Sequence, residues 1–401
     1  MEHLVNVTDF GADPTGVNDS STAFQKAIDY AFSTKRKVYI PTGKFLINQS
    51  LVLPDKLTII GENRFFYGGG DMNLCSTLIV SNVSKLFVGK TEGSATTPFL
   101  CRLHLEHVAF NRGSKGSIVF DLFQFSDTTI THNFFRDFDI VLNGKASSLT
   151  KIEKNYFLNI RQSVITTSNL DTRIQSFTDG YIINNYISGA LKNSNVKLLD
   201  IKYANMTVIS RNFIEFAYWG LNCNSGSGVT ISDNIFDYCF VGLRLSQLGG
   251  FTIQGNHYTH TNTTHASRWV SPTTEMQTTE WTGIHIRSYT NSLSIVGNVG
   301  YDCQRLMLMD GVGYKNIKSF GNIQHNSDNP VIEMKRSIDS NYIDDGKHLR
   351  IEELNYQTVN SLPASSGRDI GTFDGNLLYF QGRLIRNDNG VFKDMTGNIV
   401  S

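Results

Sequence analysis

Through the middle of the chain, apolar and polar positions recur as a fixed phrase, at neither a helical nor a simple alternating period. Set in register on one asparagine, the segments read ITHNFF, IEKNYF, IINNYI, ISRNFI, ISDNIF, IQGNHY, IVGNVG and, more weakly, SFGNIQ. The asparagines are Asn133, Asn155, Asn185, Asn212, Asn234, Asn256, Asn298 and Asn322, separated by 22, 30, 27, 22, 22, 42 and 24 residues. Isoleucine stands three residues before each of the first seven: Ile130, Ile152, Ile182, Ile209, Ile231, Ile253 and Ile295. A large apolar side chain stands two residues after each of the first six: Phe135, Phe157, Ile187, Ile214, Phe236 and Tyr258.

A unit of about 22 residues is too small to bury its own apolar face and has to stack on its neighbours. Equivalent residues then form ladders along the stacking axis, with isoleucine inside and asparagine at a turn, its amide bonding backbone in its own and adjacent coils. Leucine-rich repeats share this length but need a Leu-x-x-Leu-x-Leu pattern that is absent, and helical repeats would show a 3.6-residue period. A second strand recurs at Gly220-Leu-Asn-Cys, Gly242-Leu-Arg-Leu and Gly283-Ile-His-Ile. Alternation turns Leu221 and Leu243 inward there, and Asn222, Arg244 and His285 outward. Long separations mark insertions near 167–179, 189–205 and 259–282, which in a solenoid lie on the surface and wall the binding face. The expected fold is all-β, a right-handed single-stranded parallel β-helix over 51–345. A cap with a short helix occupies 1–50, and 346–401 reads as a small C-terminal β-module for trimerisation or glycan binding.

Residues 5–47 support the cap. Thr22 and Gln25 have capping-box spacing, and Ala23, Ala27, Ile28 and Ala31 then fall on one helical face. A strand at Lys37–Ile40 and a turn at Pro41-Thr42-Gly43 follow. An amphipathic helix here would cover the first coil, whose open edge otherwise invites aggregation. The combination DFGA-(D)PTG-x-NDSS-x-AFQ-A-I-x-x-A, followed by VYIPTG-x-F, resembles the opening of the pectate-lyase-3 group. That group includes polygalacturonase-like enzymes, many phage tailspikes and capsule depolymerases. The resemblance covers about residues 5–47, with a compatible coil pattern to about 325, and it speaks to fold more than to chemistry. It implies a homotrimer on a virion tail that acts outside the host cell on a bacterial surface polysaccharide.

Bulk properties narrow the alternatives. Lys+Arg and Asp+Glu are both 36, so no net basic field points to nucleic acid. No apolar run approaches the ~18 residues that span a bilayer, so membrane insertion is not expected. The start, MEHLVNVTDFGADPTG, lacks the basic and apolar regions of a secretory signal. Five scattered cysteines without C-x-x-C spacing read as buried thiols rather than disulfides or a zinc site.

The register also offers chemistry. Glu215 and Asp237 each lie three residues after a coil asparagine, in consecutive coils, where alternation turns them outward. Stacked strands are ~4.8 Å apart, so the two carboxylates should sit near the ~5 Å of a retaining glycosidase. Their repulsion would raise one pKa, as a general acid requires. Asp233, just before its asparagine and one coil from Arg211, is a third acidic candidate. The 259–282 insertion brings Trp269, Glu275, Glu280 and Trp281, to which Tyr218 and Trp219 add aromatic surface for a sugar. Arg244 and His285 also face the substrate, and in a lyase they would supply cation and base. Phe134, Tyr156, Tyr186 and Phe213 form an outward stripe, read either as a glycan platform or, more readily, as a trimer contact. Ordinary solvated turn residues are the plain reading of all these acids, and a non-catalytic receptor-binding spike remains the alternative from another class. Hydrolysis by paired carboxylates needs no cofactor and none is expected; a calcium site on the same oxygens is the minor alternative.

Overall fold

Each repeat phrase folds as strand, sharp turn, strand. The first is Thr129–Thr131, then the turn at Asn133, then Phe134–Arg136. The residue before each ladder asparagine is left-handed: His132, Lys154, Asn184, Arg211, Asp233, Gly255, Gly297 and Gly321 have φ between 53° and 62°. A side chain in that region is ordinarily disfavoured, and the asparagine supplies the compensation. Asn155 Oδ1 accepts from both the backbone N–H (3.0 Å) and the amide (3.1 Å) of Asn133, while Asn155 Nδ2 donates to the carbonyl of Ile130 at 2.8 Å. The same contacts repeat through Asn185, Asn212, Asn234, Asn256 and Asn298 to Asn322. A polar ladder is thereby buried with its hydrogen bonds made.

The computed structural model describes residues 4–63, 75–89, 100–114, 117–167, 177–191, 196–261, 281–310 and 314–325. It also describes strands at 332–334, 342–344, 349–351, 377–380, 383–388 and 391–394. Among these residues the coils stack as a parallel β-helix with two sheets, one of 12 strands and one of 27. The larger sheet covers two faces because its long strands cross the bend between them. Trp219–Ser227 pairs with both Val241–Leu245 and Leu248–Gln254 of the next coil. All seven ladder isoleucines and all six apolar residues beyond the turn are at most 1% exposed. Phe110, Phe135 and Phe157 stack face to face at 5.0 and 5.1 Å, as do Phe236 and Tyr258 at 5.2 Å. The glycine that opens the second strand has a steric cause: a Cβ on Gly242 would lie 2.6 Å from the Tyr258 ring and 2.7 Å from the Gly283 carbonyl.

The helix Ser21–Thr34 covers the first coils with Ala23, Phe24, Ala27, Ile28 and Ala31 buried. Its start differs from the expected capping box. Ser20 is the N-cap and makes no side-chain capping bond; its hydroxyl instead accepts from the Asp13 backbone N–H at 2.9 Å. Gln25 instead bonds the Val52 backbone on both sides, accepting at 2.8 Å and donating at 3.2 Å, so the glutamine ties helix to coil. The insertion expected at 189–205 is also shorter. Lys197–Asn205 is a regular strand with Leu199 and Ile201 buried, in register with Leu221 and Cys223. A 27-residue spacing exceeds the 22-residue coil by too little for so long an excursion. The parallel pairing continues to Leu349–Ile351, and Leu377–Phe380, Arg383–Asp388 and Val391–Asp394 form a separate antiparallel sheet.

Candidate active site

The 12-stranded sheet presents its alternate residues outward. In Phe213–Glu215 and Ile235–Asp237 the central residues Ile214 and Phe236 are fully buried, so Glu215 and Asp237 face out. They are direct partners across the pairing, with Ser188 before them and Thr259 after. Adjacent parallel strands place such residues about 4.8 Å apart. Glu215 is nonetheless only 8% exposed, and the Tyr186 hydroxyl donates to its Oε1. Burial, with the Asp237 charge adding to it, raises the Glu215 carboxyl above the usual range, although hydrogen bonds from Tyr186 and Ser188 pull the other way. Burial and the neighbouring Glu215 likewise push the Tyr186 phenol up, so it remains a donor.

Asp237 is held differently. Its Oδ1 meets Thr259 Oγ1 at 2.7 Å and His260 Nδ1 at 2.8 Å. His260, Tyr238 and Phe216 sit one residue past the carboxylate row, all left-handed. Their rings stack at 4.6 and 5.4 Å. Sequence reasoning placed Tyr186 in the aromatic stripe but not against Glu215, and it missed His260. The signal existed: Phe216, Tyr238 and His260 each stand four residues after a ladder asparagine.

Asp233 does not join this pair. It is exposed at the asparagine turn, at the far end of the strand from Asp237, on the order of 10 Å away at 3.3 Å per residue. Turn position, rather than strand register, governs where it points.

The other named residues lie across the next corner, on the larger sheet. Trp219 carries Arg244 at 4.1 Å and Lys197 at 4.4 Å from its ring centroid. Arg244 also donates to Asn222 Oδ1 at 2.9 Å, and Asn222 donates to Asp200 at 2.6 Å. His285 is the strand partner of Arg244, and it is buried against Asp310 at 3.0 Å. The histidine expected to face outward is therefore buried beside a carboxylate. Tyr218 and Trp281 are also buried: Trp281 meets Phe240 edge-on at 4.3 Å, and Phe240 meets Tyr218 at 5.2 Å. They fill the corner rather than offer broad faces to a sugar. Trp269, Glu275 and Glu280 lie outside the described residues.

The aromatic stripe has its own geometry. Phe134, Tyr156, Tyr186 and Phe213 stack at 5.1, 4.3 and 5.4 Å with planes within 10° of parallel. Their faces are turned to one another, so the stripe presents ring edges outward and is no stacking platform for pyranose rings. Among the described residues, no group of three or more His, Cys, Asp or Glu is placed to hold a metal.

Comparison with known proteins agrees with the fold. The family described as rhamnogalacturonase A/epimerase, pectate lyase-like, matches residues 4–244, more than half of the chain. No curated protein matches the sequence. Among solved structures, the surface adhesin PfbA of Streptococcus pneumoniae is 12% identical, with 99% of each chain covered and a TM-score of 0.51. The tailspike protein of an Acinetobacter baumannii phage is 15% identical over 86% of this chain and 54% of its own, with a TM-score of 0.50. The catalytic unit of an α-1,3-glucanase from Streptomyces thermodiastaticus is 13% identical over 83% of this chain and 65% of its own, with a TM-score of 0.48. The chain thus spans about two thirds or less of the glucanase and tailspike chains it matches, and at these identities the likeness concerns fold alone.

Proposed function

This chain belongs to the rhamnogalacturonase A/epimerase, pectate-lyase-like family, and from that premise we propose that it binds and hydrolyses a bacterial surface polysaccharide, capsule or O-antigen. The observation that carries the proposal is the strand pairing of Glu215 with Asp237. Glu215, desolvated and carrying a raised pKa, protonates the leaving glycosidic oxygen. Asp237 attacks the anomeric carbon as the glycosidic C–O bond breaks. Water then displaces Asp237 from that carbon and gives its proton to Glu215, which regenerates both groups. A spacing near 5 Å suits this retaining sequence rather than direct attack by water.

The likeness to a phage tailspike supports a place on a virion tail, and the opening motif implies a homotrimer, which analytical ultracentrifugation tests. A second reading, β-elimination, has one observation in its favour: Arg244 lies beside His285, whose Nε2 is 3.0 Å from an Asp310 carboxylate oxygen. An eliminating enzyme needs such a base and cation, together with a uronate in the glycan. The experiment is incubation with capsular and O-antigen polysaccharides from a bacterial panel, read by size exclusion and absorbance near 235 nm, alongside Glu215→Gln and Asp237→Asn. Shortening without new absorbance, abolished in both variants at unchanged melting temperature, is the expected result. Shortening with absorbance would transfer the chemistry to Arg244 and His285. Tight binding without shortening would make the protein a receptor-binding spike.

A further inference from the structure

Asp237 has two oxygens in unlike surroundings. Oδ1 has both donors, Thr259 Oγ1 and His260 Nδ1, whereas Oδ2 has no partner among the described residues. An aspartate with both oxygens unrestrained rotates about its terminal torsion, which is broad and two-fold. Two donors on one oxygen from separate residues stop that rotation. The histidine is itself restrained: φ is 50°, and its ring lies 4.6 Å from Tyr238 at 9° from parallel. Tyr238 in turn rests on Phe216. This stack spans the coils of Glu215 and Asp237 and the coil after them, so ring and carboxylate are registered together.

We propose that His260 is a positioning residue that locks Asp237 by Oδ1 and presents Oδ2 as the attacking oxygen. The inference rests on the reading of Asp237 as nucleophile, and it adds a role that the acid pair alone does not contain. Thr259 contributes the second bond, but its hydroxyl rotates freely and aims less strictly than an imidazole N–H fixed by a ring stack.

The test uses the full-length protein and whichever polysaccharide it shortens. His260→Ala should lower kcat about 10- to 100-fold, the scale of a misplaced reacting group, with KM changed less than threefold. His260→Asn, whose amide reaches the region of Nδ1 and tolerates left-handed backbone, should recover most of the loss. Equal losses in both variants with a lowered melting temperature would mean a merely structural histidine and overturn the proposal, as would an unchanged kcat in His260→Ala. Asp237→Asn separates the two levels: if it stays active, the nucleophile reading fails whatever His260 does. Proton NMR gives a readout without substrate. A downfield imidazole N–H resonance should be present in the wild type and in Glu215→Gln but absent from Asp237→Asn, and its absence from the wild type would overturn the contact.

Discussion

Replacing Asn212 by alanine removes one rung from the middle of the asparagine ladder, and the structure sets the size of the loss. Asn212 is 2% exposed. Its Nδ2 donates to the Ile182 carbonyl at 2.8 Å and to Asn234 Oδ1 at 2.9 Å. Its Oδ1 accepts from the backbone N–H of Asn185 at 3.0 Å and from the Asn185 amide at 2.9 Å. After truncation Asn234 Oδ1 still receives the Asn212 backbone N–H, and Asn185 Nδ2 still reaches Ile152 and Ile183. The Asn185 N–H and the Ile182 carbonyl lose these partners in a dry interior. Each such orphan costs about 1–3 kcal/mol, so a loss of about 2–6 kcal/mol is expected from the two. Asp233→Ala, on the exposed side of the same kind of turn, should stay within about 0.5 kcal/mol. Urea denaturation followed by tryptophan fluorescence measures both, with Trp219 reporting from the same coil. A loss under about 1 kcal/mol for Asn212→Ala would refute the reasoning, because it would mean that the ladder is dispensable or rescued by water. Asn212→Ala and Asn234→Ala share a rung, and their combined effect should fall short of the sum.

The raised Glu215 pKa makes its protonated form the better tolerated one in the folded state. Its stabilisation is full below the unfolded glutamate pKa and is lost as pH rises through the folded value. Glu215→Gln should therefore gain stability relative to wild type between acidic and neutral pH, and a constant difference across that range would contradict the assignment. Gly242→Ala puts a methyl group against the Tyr258 ring and the Gly283 carbonyl, and urea denaturation should show about 1–3 kcal/mol of destabilisation. Tyr258 is fully buried and its hydroxyl has no hydrogen-bond partner among the described residues. Tyr258→Phe should thus hold or raise stability by about 1 kcal/mol, whereas a clear loss would reveal a bonded hydroxyl.

The helical coil was legible because its determinants are local and repeated. Ile130 through Ile295 occupy one register position, and their burial follows from period and turn alone. Glu215 and Asp237 were paired by the same arithmetic, since strand register needs only the asparagine as origin. Features made by contacts between unlike positions were harder to read. His260 bonds Asp237 across a coil boundary, 23 residues away, and the Tyr186 bond to Glu215 joins the first position of one strand to the third of the next. Asp310 lies beyond the next coil from Arg244, outside any repeated phrase, so the pairing of His285 left no pattern. Gln25 failed as a capping residue because capping spacing cannot distinguish a reach back to the helix N-terminus from a reach across to Val52. Trp281 looked available only because nothing in the sequence shows that Phe240 stands beneath it.

The most direct test of the central claim is the anomeric configuration of the first-formed reducing ends, followed by proton NMR during cleavage of a polysaccharide that the protein shortens. Strand-paired Glu215 and Asp237, at a spacing set by adjacent coils, require net retention. Retention in the wild type, with no product from Glu215→Gln or Asp237→Asn, is the expected result. First-formed products of inverted configuration, or an unsaturated uronate in place of a new reducing-end hydrolysis product, would contradict it.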